Sequence, residues 1–289
     1  MQLLVFIIIF PILLIVSILP FRILYIFSDF VYLIVYYIVG YRKKTVRYNL
    51  KIAFPNLSNK ERLDIEKKSY QHLCDMFLEM NKTMTISRSE MQKRFHFEDY
   101  EVLKELEVKD KSIVLLASHY ASYEWSVSIN KYLNLQGYAI YKRLTNKYLD
   151  RLVKKIRSRF KATLITTKET FTIIEQNHQE NKIALYGFAS DQSPKSSNAY
   201  HWKKFMGVNT PIHTGAELLA KKYDMSVVFL KVKKIKRGFY TANLELITED
   251  VRSFKDYDLT DQYIDRVEKQ ILEAPEFYLW THKRWKHQK

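Results

Sequence analysis

The chain has little glycine, little proline and one cysteine: 6, 6 and 1 among 289 residues. Six glycines leave scant material for a glycine-rich phosphate loop. A single cysteine, Cys74, excludes an intramolecular disulfide. It sits in the helical pattern YQHLCDMFLEM, where a thiol acts as a small buried apolar group. The pattern H-E-x-x-H is missing and the histidines form no compact ligand set, so no metal is called for. No internal repeat, low-complexity linker or nucleic-acid motif occurs. Past the first 40 residues there is no long apolar run, which argues against a transporter or channel. Carboxylates are also short. The 31 Asp and Glu face 47 Lys and Arg, a formal charge of +16 spread along the chain. That balance suits anionic lipid headgroups, nucleic acid or an acidic protein carrying a substrate.

What is abundant is apolar and aromatic: 47% and 15% of residues, with 21 Tyr and 17 Phe. Leu3 to Phe21 is a charge-free apolar stretch, close to the roughly 20 residues that span a bilayer. No basic region precedes it and no A-x-A site follows, so it reads as a membrane anchor rather than a cleaved signal. Arg22 and Asp29 interrupt the pattern. Phe30 to Gly40 is a second, shorter apolar stretch, suited to an interfacial helix or one packed on the protein. Arg42, Lys43, Lys44 and Arg47 follow at once and place the rest of the chain on the cytoplasmic side. The expected organisation is an anchor and interfacial helix over residues 1–40, then one catalytic domain over 41–289.

Ser58 with Glu61 forms a capping box that starts a helix. Strands are expected at 113–117, 138–141, 163–165, 183–188, 225–232 and 240–246. Between them lie helices, including one carrying Glu124 to about Leu135 and the basic NKYLDRLVKKIRSRF. This alternation indicates an α/β sandwich with a mostly parallel sheet, turning antiparallel toward its end.

The richest segment is VLLASHYASYEW. Reactive groups collect just beyond the C-terminal ends of such strands, and His119 stands there. A neutral imidazole at that point can take a proton from an alcohol as it attacks a carbonyl. Glu124, five residues on, is the expected acceptor for its other ring nitrogen. The bland alternative is a strand-end histidine capping the next structure. His96 and Glu101 repeat the spacing in HFEDYE, but no apolar strand delivers His96, so that pair reads as surface. The preceding strand therefore carries the information, and the spacing alone is weak.

These residues, with NLKIAFP and its following ER, YKRLTNKYLD, RSRF, DQSP, GVNTPIHTGAELLA and EAPEFYLWTHKRWK, resemble the late acyltransferases of bacterial lipid A biosynthesis. The wording is most similar to members from Bacteroidetes-type bacteria. The resemblance runs from about Tyr41 to Lys286. It implies a fold similar to the glycerol-3-phosphate acyltransferases. It also implies transfer of an acyl chain from acyl carrier protein, or from coenzyme A, to a hydroxyl of an anionic glycolipid precursor. That reaction would sit at the cytoplasmic face of the inner membrane, with no cofactor beyond the acyl thioester. The family histidine falls on His119 and its acid on Glu124. Ser118 and Tyr123 stand where the family often has Gly and Trp, which reshapes the pocket without touching the chemistry.

Lys142 replaces a frequent Arg, with Arg143 next to it; either suits a phosphate, though ordinary solvated charge is the plain reading. Lys154, Lys155, Arg157 and Arg159 suit an anionic headgroup or the acidic carrier. Asp191 and Gln192 order the active-site loop, bind substrate, or simply close a turn before Pro194. His213 reads as structural. Trp280, His282, Arg284 and Trp285 either pack beside the headgroup site or form a wet C-terminus. The oxyanion donor is expected from a backbone N–H near residues 118–120 or from a basic side chain. A different acceptor on the same fold, an amino-acid-containing lipid or another membrane glycolipid, is the competing reading. A non-enzymatic membrane or nucleic-acid module leaves the His/Glu pair unexplained.

Overall fold

The structure, a computed structural model, describes residues 1–288. Two apolar helices come first, α1 (Gln2–Ile18) and α2 (Phe21–Leu33), with α2 continuing as a π-helical turn over Ile34–Val39. Leu19 and Pro20, both extended, break the chain between them. The expected single run over residues 3–21 is therefore a 17-residue helix, and the apolar helix long enough to cross a bilayer is instead Phe21–Val39. Pro11 sits inside α1 without ending it.

Next come α3 (Lys43–Ala53) and the long α4 (Asn59–Lys82), whose capping box of Ser58 and Glu61 is formed in both directions. The motif between them has a local reason. Arg62 donates to the carbonyls of Phe54 and Leu57 and to Asn59 Oδ1, which fixes the turn after NLKIAFP. Asn49 of the same motif donates to the carbonyls of Trp280 and His282, at 2.8 and 2.7 Å.

The rest is α5 (Arg88–Arg94), β1 (Phe95–Glu98), α6 (Glu101–Glu107), β2 (Ile113–Ala117), β3 (Gln136–Tyr141), α7 (Lys147–Ser158) and β4 (Ala162–Thr166). Then follow α8 (Thr170–Gln179), β5 (Ala184–Ala189), a hairpin of β6 (His201–Phe205) and β7 (Val208–Ile212), and α9 (Gly215–Tyr223). The chain ends with β8 (Ser226–Lys236), β9 (Phe239–Thr248) and α10 (Asp258–Glu273). Seven strands form one sheet in the order β1-β9-β8-β2-β5-β3-β4. The sheet is mixed. β8, β2, β5, β3 and β4 run parallel, β9 returns antiparallel to β8, and β1 lies parallel to β9. β2 at its centre is apolar throughout, and Ile113 to Leu116 are buried, as a strand covered on both faces requires.

Two expectations change. Residues 123–131 form a 3₁₀ segment in place of an α-helix. Ser126, Ser128 and Asn130 each bond a carbonyl three residues back, which tightens the turn. The β6–β7 hairpin was not expected, because its lysines and Pro211 hide the alternation. Its turn takes positive φ at Met206 and Gly207, the backbone of a tight two-residue loop.

Candidate active site

The parallel register of β2 and β5 builds the centre. Ala117 pairs with Ala189, so residues two beyond each, His119 and Asp191, emerge side by side. His119 Nδ1 lies 2.7 Å from Asp191 Oδ1, and the same oxygen accepts from the His119 backbone N–H at 3.1 Å. Two bonds to one carboxylate oxygen fix the ring and its tautomer: Nδ1 carries the proton and Nε2 is left as the basic nitrogen. Tyr263 of α10 ties both strand ends together, donating to the Ala117 carbonyl at 2.7 Å and accepting from the Ser190 N–H at 3.2 Å.

Glu124 was expected on the histidine ring and is elsewhere. Its carboxylate is gripped by Arg157 of α7, with Nε to Oε2 at 2.8 Å and Nη2 to Oε1 at 2.5 Å. The 3₁₀ segment turns Glu124 toward α7, while the register gives the ring to Asp191. The second pair still lies near enough to act on the first. Burial by itself lowers the pKa of His119, but the Asp191 carboxylate, with Glu124 behind it, more than offsets this and raises it, Arg157 opposing. For Asp191 burial raises the pKa, and His119 more than offsets it, so the carboxyl stays below its usual range. Arg157 is disfavoured as a cation by burial, yet the fork on Glu124 raises its pKa overall. Tyr123 packs edge-on to His119, ring centres 5.0 Å apart. A narrow pocket between α4 and the C-terminal segment is lined by Tyr70, Leu73, Met76, Phe277, Trp280 and His119 itself.

His119, half-buried at its strand end and locked on a carboxylate, thus stands at the edge of this pocket. Residues 2–287 match the family model of the bacterial lipid A biosynthesis acyltransferases. The chain belongs to that family. It is 22% identical over 247 residues to a lipid A biosynthesis palmitoleoyltransferase of Escherichia coli K12, covering 85% of this chain and 79% of that one. It is 26% identical over 251 residues to a lipid A biosynthesis acyltransferase of Haemophilus influenzae, covering 86% and 79%. A lipid A biosynthesis lauroyltransferase of Escherichia coli K12 is 22% identical over 248 residues, covering 85% and 79%. The protein is thus an acyl-transferring enzyme of lipid A biosynthesis, with an apolar helix suited to membrane association near its N-terminus.

Within this acyltransferase the other expected site residues are dispersed. Lys142 and Arg143 are exposed just beyond β3, and Arg143 comes only within 3.8 Å of Asp150. The Arg159 guanidinium donates to the backbone carbonyls of Thr83, which caps α4, and of Ile86, just before α5. Gln192 is half-buried beside Asp191. Three backbone N–H groups of the turn expected to supply an oxyanion donor are occupied: His119 by Asp191, Tyr120 by the Ser118 carbonyl and Ala121 by the Phe277 carbonyl.

The segment from Trp280 to Trp285 is no wet tail. Trp280, Arg284 and Trp285 are buried, Arg284 Nη1 donating to Thr210 Oγ1 at 3.0 Å and to the Pro211 carbonyl at 3.2 Å. Burial pushes His282 down to about 4, and its neutral Nε2 accepts from the Ser193 N–H. Sequence reasoning missed Arg157 as the partner of Glu124 and missed Tyr263 altogether. A signal for the His119–Asp191 pairing was present: the strand-end tripeptides Ala117-Ser118-His119 and Ala189-Ser190-Asp191 have the same form.

Proposed function

We propose that the enzyme transfers a fatty acyl chain from the thioester of acyl carrier protein to a hydroxyl of a lipid A precursor, with His119 as general base. The observation that carries this is the 2.7 Å bond from His119 Nδ1 to Asp191. It leaves Nε2 to remove the hydroxyl proton, and Asp191 stabilises the imidazolium that results. The hydroxyl oxygen attacks the thioester carbonyl and forms a tetrahedral oxyanion. The C–S bond breaks, the carrier thiolate leaves, and the imidazolium returns its proton to sulfur. With these three backbone N–H groups occupied, we assign the oxyanion to a cation. Arg157 is the candidate, since its fork on Glu124 uses Nε and Nη2. Glu124 then acts by holding Arg157, and Lys142 and Arg143 are the exposed cations available to an anionic acceptor.

The same reading seats the catalytic body on the cytoplasmic face of the inner membrane, with α1 and α2 lying in the interface rather than crossing the bilayer. The body holds α1 at both ends. Asn146 donates to the Gln2 carbonyl at 3.0 Å, and Lys82 donates to the Ser17 and Leu19 carbonyls, each at 2.7 Å. Mid-helix groups of α2 bond to the body as well, Ser28 to Asp75 at 2.7 Å and Asp29 to Arg237 at 2.6 Å. The opposite faces expose Ile8, Ile12, Ile15, Ile26 and Phe30. That is the layout of helices lying in an interface, polar side on protein and apolar side on lipid.

The test is turnover by the purified full-length enzyme with acyl carrier protein thioester and competing acceptors, read by intact mass of the lipid products. Acylation of a lipid A precursor that vanishes in His119→Ala is expected. Acylation of an aminolipid in its place overturns the acceptor, and unchanged turnover in His119→Ala overturns the base.

A further inference from the structure

Between His119 and Glu124 the chain makes a turn whose shape is unusual. Ala121 has φ +51°, a left-handed conformation that a side chain disfavours by roughly 1–2 kcal/mol. Such a turn persists only where its surroundings impose it. The C-terminal segment supplies part of the constraint, Phe277 accepting from the Ala121 N–H at 2.9 Å. The remainder comes from α4. Ser122, fully buried, donates to Glu79 Oε2 at 3.1 Å. Trp125, one residue past Glu124, donates its indole N–H to the Glu79 carbonyl at 3.1 Å and to Thr83 Oγ1 at 3.0 Å.

Glu79 is an expensive residue to place here. It is fully buried, and that burial, with Asp75 nearby, pushes its carboxyl up to about 7. The hydroxyls around it offset the penalty. Tyr25 of α2 donates to Oε1 at 2.8 Å, and Tyr240 of β9 donates to Oε1 and Oε2 at 3.1 and 2.9 Å. Lys234 adds a favourable charge. Gly238 makes the Tyr25 contact possible: a Cβ at that position would stand 2.0 Å from the Tyr25 hydroxyl. Two oxygens of one carboxylate thus hold the membrane-side helix and the catalytic turn together.

We infer that Glu79 is a positioning residue for acyl transfer, which through Ser122 holds the turn carrying His119 and Glu124 and braces it against α2. It touches no reacting atom. The inference rests on the reading of His119 as the base, and displacing such a group by about 1 Å costs on the order of 10²-fold in rate.

The test uses the full-length enzyme in lipid–detergent micelles with three single variants, Ser122→Ala, Glu79→Gln and Tyr240→Phe, and the Ser122→Ala/Glu79→Gln double. Ser122→Ala should lower kcat about tenfold with KM for the acyl thioester little changed. The double should be no slower than the slower single, because both changes remove one link. Tyr240→Phe removes a hydroxyl from the same carboxylate without touching the turn. It should lower the melting temperature while keeping kcat within about twofold. Wild-type kcat in Ser122→Ala, rate losses that multiply in the double, or an equal loss in Tyr240→Phe each overturn the inference. His119→Ala is run alongside. If it keeps turnover, the base reading fails, while the Ser122–Glu79 cycle is still read on its own.

Discussion

Replacing Asp191 by Asn should do two separable things to acyl transfer. The side chain keeps its size, but its charge goes, and an amide can present either oxygen or NH₂ to the ring. His119 Nδ1 and its backbone N–H both depend on one Asp191 oxygen, so tautomer and orientation are lost together. Loss of the corresponding carboxylate in a histidine-based triad costs about 10⁴ in kcat, or ~5.5 kcal/mol of transition-state stabilisation.

The second effect is on pH dependence. A base works only when neutral, so kcat/KM falls as pH drops through the His119 pKa. Asp191 holds that pKa above the ordinary histidine value, which is about 6.5. With the carboxylate gone, burial dominates and the pKa falls, so the acid limb of the residual activity should move to lower pH. The assay is steady-state acyl transfer from about pH 5 to 9, with circular dichroism at each end to exclude unfolding. A variant with wild-type kcat and an unmoved acid limb would falsify the role given to Asp191.

Other expectations follow the same geometry. Arg157→Met takes the guanidinium fork from the largely covered Glu124 carboxylate and should destabilise by about 3 kcal/mol, read by thermal melting. Arg157→Lys keeps the charge without the fork and should fall between the two in stability and rate. Ser58→Ala removes an exposed capping box far along α4 and should cost about 1 kcal/mol in denaturant titration, with kcat unchanged. Ile26→Asp puts a charge on the exposed face of α2 and should move the protein out of the membrane fraction. Its melting temperature in detergent should stay within a few degrees of wild type, and full membrane retention would count against the interfacial seat.

Much of the chain was legible because its signals are local. β2 reads as a strand from five apolar residues in a row, and α4 starts where Ser58 and Glu61 place it. The family resemblance rested on ordered motifs, and the first of them has plain structural causes in the bonds of Arg62 and Asn49. What misled was proximity in sequence. Glu124 lies five residues from His119 and was assigned to its ring, whereas Asp191, 72 residues away, holds it. Partners across a parallel sheet are set by register, which a single sequence shows only faintly. The bonds of Arg159 were hidden for a related reason: a cation with few acids around it suggests an anionic ligand, and here two backbone carbonyls take its guanidinium. The β6–β7 hairpin, the support from Tyr263 and the burial of Trp280, Arg284 and Trp285 depend on tertiary contacts that no local pattern announces.

The pairing of Asp191 with His119 also sets how stability depends on pH. Asp191 has a depressed pKa, so its contribution is present above the unfolded value near 3.9 and is lost as pH falls through the folded one. His119 has a raised pKa, so its contribution is full below about 6.5 and is lost as pH rises through the folded value. The ion pair therefore stabilises most between about pH 4 and 6.5, with His119 protonated and unable to act as a base. Raising the pH frees the base and removes that share of stability over the same interval. Melting temperature should thus fall as activity rises across the acid limb, and the fall should disappear in Asp191→Asn, where only the activity limb persists at its lower pH. A wild-type melting temperature that climbs through the limb would mean that a group other than this pair governs it.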